Sequence, residues 1–132
     1  MMPPGRYLLD TTAMIDISKG IEPISTMIQG WLAGSNEVGI CGVVVAEFFA
    51  GIQLAERARW VSFIDRLTFW DVTRWIAIQA GIYRYRYARL GTKLSTPDTL
   101  IAAVAVNVGA TLVTRNVKDF PMNELSLLPF GP

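Results

Sequence analysis

Three carboxylates stand out in this chain for where they fall. Asp10 closes the short run Arg6–Leu9, Glu47 sits inside the apolar run Val43–Gly51, and Asp98 opens the segment Asp98-Thr99-Leu100-Ile101. A fourth acid, Asp119, follows the run Thr111–Val113, with Asn116 just before it. Carboxylates gathered at one place repel, and their pKa values rise unless a cation lies between them. An all-oxygen ligand set that leaves waters in place suits Mg²⁺ or Mn²⁺. Such an ion lowers the pKa of a bound water, orients it toward a phosphodiester and offsets charge on the developing oxyanion. The chain has no histidine at all. That excludes Ser-His and Cys-His nucleophiles, histidine acid–base catalysis and His-ligated zinc or iron. Its one cysteine, Cys41, cannot form an internal disulfide and reads as a small buried hydrophobe.

The elements around the acids are legible. In Ser95–Val106, Thr96 reads as the N-cap and Pro97 as the first helical residue. Asp98 then lies in the first turn, where the helix dipole favours an ionised carboxylate. Leu100, Ile101, Val104 and Ala105 follow at helical spacing and would bury one face. Arg6–Leu9 reads as a strand that stops at Asp10. That acid either meets a ligand at the strand end, or it or Thr11 merely caps the helix Thr12–Ser18. Ile21–Ala33 predicts a helix stopped by Gly34, Glu37–Cys41 a second strand, and Val43–Gly51 a helix with Glu47 as its only charge. Buried there, Glu47 would need a partner or a cation; the plainer alternative places it at the surface.

Glu56–Leu67 and Thr73–Leu90 predict further helices, with Phe69–Val72, Thr111–Val113 and Leu125–Leu128 as strands. Short strands alternating with helices indicate an α/β fold with a parallel sheet covered on both faces. In such a sheet the four acidic positions converge at the carboxyl edge, where ligands bind.

A length of 132 residues with 52% apolar and 17% charged residues implies one globular domain, residues 1–132. A net charge of +1 gives no global basic field. One local concentration exists: Arg74, Arg84, Arg86, Arg89 and Lys93 lie between Asp71 and Asp98 with no acid among them, interleaved by Tyr83, Tyr85 and Tyr87. Arginine on phosphate and tyrosine on unpaired bases are a common way to hold single-stranded RNA, and Arg115 offers one more cation. The plain reading is a solvated helix face over core tyrosines. No leader pattern opens the chain, and Val38–Ile52 is too short to span a bilayer, so a soluble cytoplasmic protein is expected.

Four segments together carry a resemblance. Leu8-Leu9-Asp10-Thr11-Thr12-Ala13-Met14-Ile15, Val45-Ala46-Glu47-Phe48-Phe49-Ala50-Gly51, Asp98-Thr99-Leu100-Ile101-Ala102-Ala103 and Leu112–Phe120 resemble the ordered motifs of PIN domains, and more closely the VapC-type toxins of toxin–antitoxin pairs. The resemblance implies a three-layer α/β/α sandwich with a short, mainly parallel sheet. It also implies a Mg²⁺-dependent endoribonuclease in which Mn²⁺ can substitute. Asp10 and Asp98 would be the principal metal ligands and Glu47 would complete the site. Asp119 is favoured over Asn116 as the fourth group, and Thr11, Thr12, Thr114 and Asn116 would support the acids. A homodimer and a cognate antitoxin, its tail in the acidic groove, are implied as well. Two readings compete with this one. The first is a catalytically inactive PIN-like protein that binds RNA or a partner. The second is a different Mg²⁺ phosphohydrolase, which usually needs an acid two residues after its nucleophilic Asp, where this chain has Thr12.

Overall fold

Strand β1 (Arg6–Leu9) lies at the centre of a five-stranded sheet, and its last two residues, Leu8 and Leu9, are wholly buried. Burying a leucine side chain contributes roughly 1.5–3 kcal/mol, so this short strand is held by packing rather than length. The computed structural model describes residues 5–131. The other strands are β2 (Glu37–Cys41), β3 (Thr68–Trp70), β4 (Thr111–Thr114) and β5 (Leu127–Pro129). Their order is β3-β2-β1-β4-β5, and every neighbouring pair is parallel, with Leu8 level with Gly39 on one side and Leu112 on the other. Gly39 has no side chain because the Trp70 ring lies over it; a Cβ there would come within 2.2 Å of that ring.

The helices are α1 (Thr11–Ser18), α2 (Ile24–Ala33), α3 (Gly42–Ala50), α4 (Arg57–Ile64), α5 (Arg74–Arg89) and α6 (Thr96–Val108). From β1 the chain steps outward through β2 to β3, then returns past β1 to β4. Right-handed crossovers in opposite directions place α1–α4 and α5–α6 on opposite faces, giving three layers, α/β/α. The strand order therefore reverses between β1 and β4, and the crevice beyond their carboxyl ends is where such a sheet binds ligands.

Several boundaries differ from expectation for local reasons. Helix α2 starts at Ile24 rather than Ile21, because Pro23 precedes its first turn. The segment expected as one helix over Glu56–Leu67 opens with a 3-10 turn, Leu54–Glu56, and its α-helix ends at Ile64. Helix α6 buries more than one face. Thr99 and Ile101–Ala105 are all buried while Leu100 is only partly so, since the helix is packed against α5, α3 and β4. The alanines at 102, 103 and 105 let those neighbours approach closely. Cys41 is buried at the end of β2, as expected of a small hydrophobe. Among the described residues, no helix is long and apolar enough to cross a membrane.

Candidate active site

Asp10 leaves β1 in extended conformation and is the N-cap of α1. Its Oδ1 accepts from the Ala13 amide at 2.9 Å and from the Thr12 hydroxyl at 2.6 Å. Its own amide donates to the Val113 carbonyl of β4. The capping alternative is realised, and the capping carboxylate also lies at the sheet's crevice, where the ligand-binding alternative needs it. Asp10 is 3% exposed, and that burial raises its pKa above the ordinary 3.8. The hydroxyls of Thr114 and Thr12 and the Ala13 amide oppose the rise.

Asp98 is fixed from the other layer. Ser95, not Thr96, is the N-cap of α6, its hydroxyl accepting from the Asp98 amide at 3.2 Å. Thr96 is thus already helical, and Pro97 is the second residue of the first turn, where its missing N–H is equally harmless. Asp98 is half-buried, and desolvation is the main cause of its raised pKa. The charges of Asp119, Glu47 and Asp10 add to the rise, in that order, while the Ser95 hydroxyl opposes it. The helix start alone does not hold this carboxylate in its ordinary range; burial and three like charges outweigh it.

Glu47 corrects an expectation. It is exposed on α3 rather than buried in apolar surroundings, because its helix turns that position outward toward α1. There it accepts from the Thr11 hydroxyl at 2.6 Å. Asp119 ends the 3-10 turn Val117–Asp119 and is half-buried, its amide bonded to the Asn116 carbonyl. Asn116 is exposed and its amide donates to the Thr114 hydroxyl. Of these two, Asp119 is the one whose charge reaches Asp98.

Asp10, Glu47, Asp98 and Asp119 thus stand around the carboxyl end of β1 and β4, and among the described residues none is ion-paired to Lys or Arg. No three carboxylates among the described residues close into a ready-made cage. Mg²⁺ does not require one: it usually takes one or two carboxylates, keeps several waters and adds substrate oxygens. Unpaired, partly desolvated oxygen donors fit a hard divalent cation.

The basic stretch of α5 is more engaged than its sequence suggests. Arg84 donates to the Leu94 carbonyl and the Thr96 hydroxyl, bracing the entry to α6. Arg86 pairs with Glu124 and lies over the rings of Tyr83 and Tyr87, both buried. Only Tyr85 is exposed, with Arg89 stacked on it at 4.0 Å, and Lys93 is exposed beyond the helix. Arg115 is bound to Asp16, a buried acid that the sequence reading passed over. The signal was available: Asp16 lies four residues after Thr12, on the same helical face, inside a run of apolar side chains.

A cleft of about 470 Å³ lies away from the acids, between α1, α2 and α4. Ile17, Ile28, Trp60 and Phe63 line it, with Arg59 and Arg66 among its polar groups.

Comparison with known proteins agrees with this geometry. The family model described as PIN domain matches residues 7–121. Ribonuclease VapC19 of Mycobacterium tuberculosis is 31% identical over 115 residues, covering 87% of this chain and 92% of its own. Ribonuclease VapC10 of the same organism is 31% identical over 127 residues, covering 94% and 92%. Among solved structures, VapBC2 from Rickettsia felis, bound to a DNA fragment from its promoter, superposes with a TM-score of 0.83 at 26% identity, covering 96% of this chain and 99% of the other. DNA-bound VapBC from Salmonella typhimurium gives 0.77 at 28% identity, covering 95% and 98%. The acids at the β1–β4 crevice, the all-parallel sheet and these matches together place the chain in the PIN-domain family, among the VapC-type ribonucleases of toxin–antitoxin systems.

Proposed function

We propose that residues 1–132 act as a single PIN-like domain that hydrolyses RNA phosphodiester bonds internally, as a Mg²⁺-dependent toxin with Mn²⁺ able to substitute. The observation that carries this reading is the set of unpaired acids at the β1–β4 crevice, with the pKa of Asp98 raised first by burial and then by the charges of the other three. Asp10 and Asp98 would hold the metal, from opposite layers of the fold. A cation held there would supply a more acidic water and offset negative charge on the phosphoryl oxygens. Glu47, exposed and bonded to the Thr11 hydroxyl, would accept a proton from the attacking water. Asp119 completes the acidic rim. Thr12 and Thr114 restrain Asp10, Thr11 restrains Glu47, and Asn116 begins the turn that carries Asp119.

The partners follow from the same reading: a cytoplasmic protein, a cognate antitoxin that covers the acidic groove, and a second copy of the chain. The exposed row Trp75, Ile78, Ile82 and Tyr85 on α5 supplies apolar surface for the homodimer. Arg89 and Lys93 would offer weak contacts to RNA phosphates, whereas Arg84 and Arg86 are already engaged by Thr96 and Glu124.

The deciding experiment incubates total RNA with the protein in Mg²⁺, in Mn²⁺ and in excess EDTA, beside Asp98→Asn. Cleavage by the wild type with metal, lost in EDTA and in the variant, is expected. Cleavage that persists in EDTA overturns the mechanism. One alternative is an inactive RNA or partner binder. A wild type that binds RNA yet neither cleaves it nor takes up Mn²⁺ by calorimetry would establish that alternative.

A further inference from the structure

Asp16 and Arg115 form an ion pair that neither the acid cluster nor the basic stretch accounts for. The Asp16 carboxylate is buried on α1, and the Arg115 Nη1 donates to both of its oxygens, at 2.8 and 2.9 Å. The same arginine donates its backbone amide to Thr12 Oγ1 at 3.1 Å. The Thr12 hydroxyl in turn donates to Asp10 Oδ1 at 2.6 Å. On the other side of Arg115, the amide of Asn116 is bonded to Thr114 and its carbonyl to the amide of Asp119. One residue therefore joins the turn that carries Asp119 to the helix start that carries Asp10. A buried carboxylate with a single cationic partner makes the joint stiff, since separating them strands a charge in an apolar setting.

We infer that Arg115, held by Asp16, is a positioning residue that sets Asp10 and Asp119 relative to one another, and is not a contact for RNA. This rests on the nuclease reading above, because the geometry it fixes is that of the proposed metal site. Outer-shell partners of metal ligands typically change affinity or activity by about 10–100-fold. An arginine that bound phosphate would act differently, through substrate affinity and its salt dependence.

The test is a cycle of Asp16→Asn, Arg115→Met and the double variant, with Arg115→Lys as the conservative replacement. Each protein is read by kcat and KM on RNA, by Mn²⁺ calorimetry, and by amide hydrogen exchange. Each single variant is expected to lower kcat roughly tenfold, leave KM within about twofold and weaken Mn²⁺ binding roughly tenfold. The double variant should be no worse than either single one, and Arg115→Lys should recover part of the loss. The double variant also removes both charges together, so it stays measurable if a stranded charge unfolds a single variant. Exchange at the amides of Arg115 and Asp119 should rise while that of α5 stays unchanged. A raised KM for Arg115→Met with kcat intact, and a silent Asp16→Asn, would overturn the inference and make Arg115 an RNA contact. Unchanged exchange at Arg115 and Asp119 would overturn it too. That readout needs no activity, so it decides the pin even if the wild type cleaves nothing and the nuclease reading fails.

Discussion

Asp10 and Asp98 have the same side chain, and burial is the chief reason that both pKa values are raised, yet the two halves of the site are built differently. On the α1–β4 side, Asp10 is enclosed and tied by Thr12, Ala13 and Thr114, with the Asp16–Arg115 pair behind it. On the α3–α6 side, Asp98 is half open, its carboxylate opposed by Asp119, Glu47 and Asp10 and eased only by Ser95. One half is wired before any ligand arrives, and its hydrogen bonds offset the cost of burying charge. The other is half-desolvated among like charges with one hydroxyl to ease it, and on the proposed metal-dependent reading it would gain most from a cation. If the proposed metal binds here, a rigid ligand beside a less restrained one would allow fixed geometry together with release of the ion and product.

Replacing either acid by alanine tests that contrast with the largest effects. Both Asp10→Ala and Asp98→Ala should remove several kcal/mol of transition-state stabilisation, about a thousandfold or more in cleavage rate. Their stabilities should move in opposite directions. Asp10→Ala loses a helix cap and strands two hydroxyls, at about 2 kcal/mol. Asp98→Ala removes a partly buried charge and its like-charge repulsion and should gain about 0.5–1 kcal/mol in metal-free protein, discounted for its partial exposure. Thermal melts in EDTA decide it, at about 3–5 °C per kcal/mol for a chain of this size. Two shifts of the same sign would break the comparison.

The same asymmetry sets a pH dependence. Asp10 and Asp98 both have folded-state pKa values above 3.8. Between 3.8 and those raised values the folded chain binds more protons than the unfolded one, so their contribution is full below 3.8 and is lost as pH rises through the raised pKa values. In urea unfolding with EDTA, the gain from Asp98→Ala should therefore be largest near pH 7 and shrink toward pH 4. Saturating Mg²⁺ should reverse the sign at neutral pH, because an ion bound only by the folded wild type stabilises it by mass action. A gain that ignores pH would mean that the ionised Asp98 carboxylate is not its source.

Paired threonines give a smaller effect. Thr12→Val breaks a relay between Arg115 and Asp10 and should cost about 1–2 kcal/mol of stability in urea. Thr11→Val frees an exposed Glu47 and should change stability by less than about 0.5 kcal/mol. Equal costs would show that the α1 side is no more prewired than the α3 side.

Much of this site could be read from the chain because the determinants are local. Strand ends at Asp10 and the segment opening at Asp98 follow from apolar runs that stop at a polar residue, and β2 is found where Glu37–Cys41 predicts it. The sequence leaves Glu47 open between core and surface because one charge among apolar residues does not say which way its helix is turned; α1 and the sheet decide that. Ser95 and Thr96 are both competent caps, and one residue of register separates them. Asp16–Arg115 joins positions 99 apart in sequence, a separation at which single-residue patterns carry no pairing information.

The basic stretch on α5 gives the smallest and last contrast. Arg84 is bonded to the loop that opens α6, so Arg84→Ala should act through Asp98, lowering kcat a few-fold with KM little changed. Arg89 and Lys93 reach toward solvent, Arg89 over the exposed Tyr85 ring. If they meet phosphate, Arg89→Ala and Lys93→Ala should each raise KM about two- to threefold and reduce the slope of log KM against log salt by about 1 or less. The loss should fade at high salt, where screening already weakens such contacts. Variants with unchanged KM and salt slope would make the stretch a solvated face, leaving RNA to be held by the acids' side of the molecule alone.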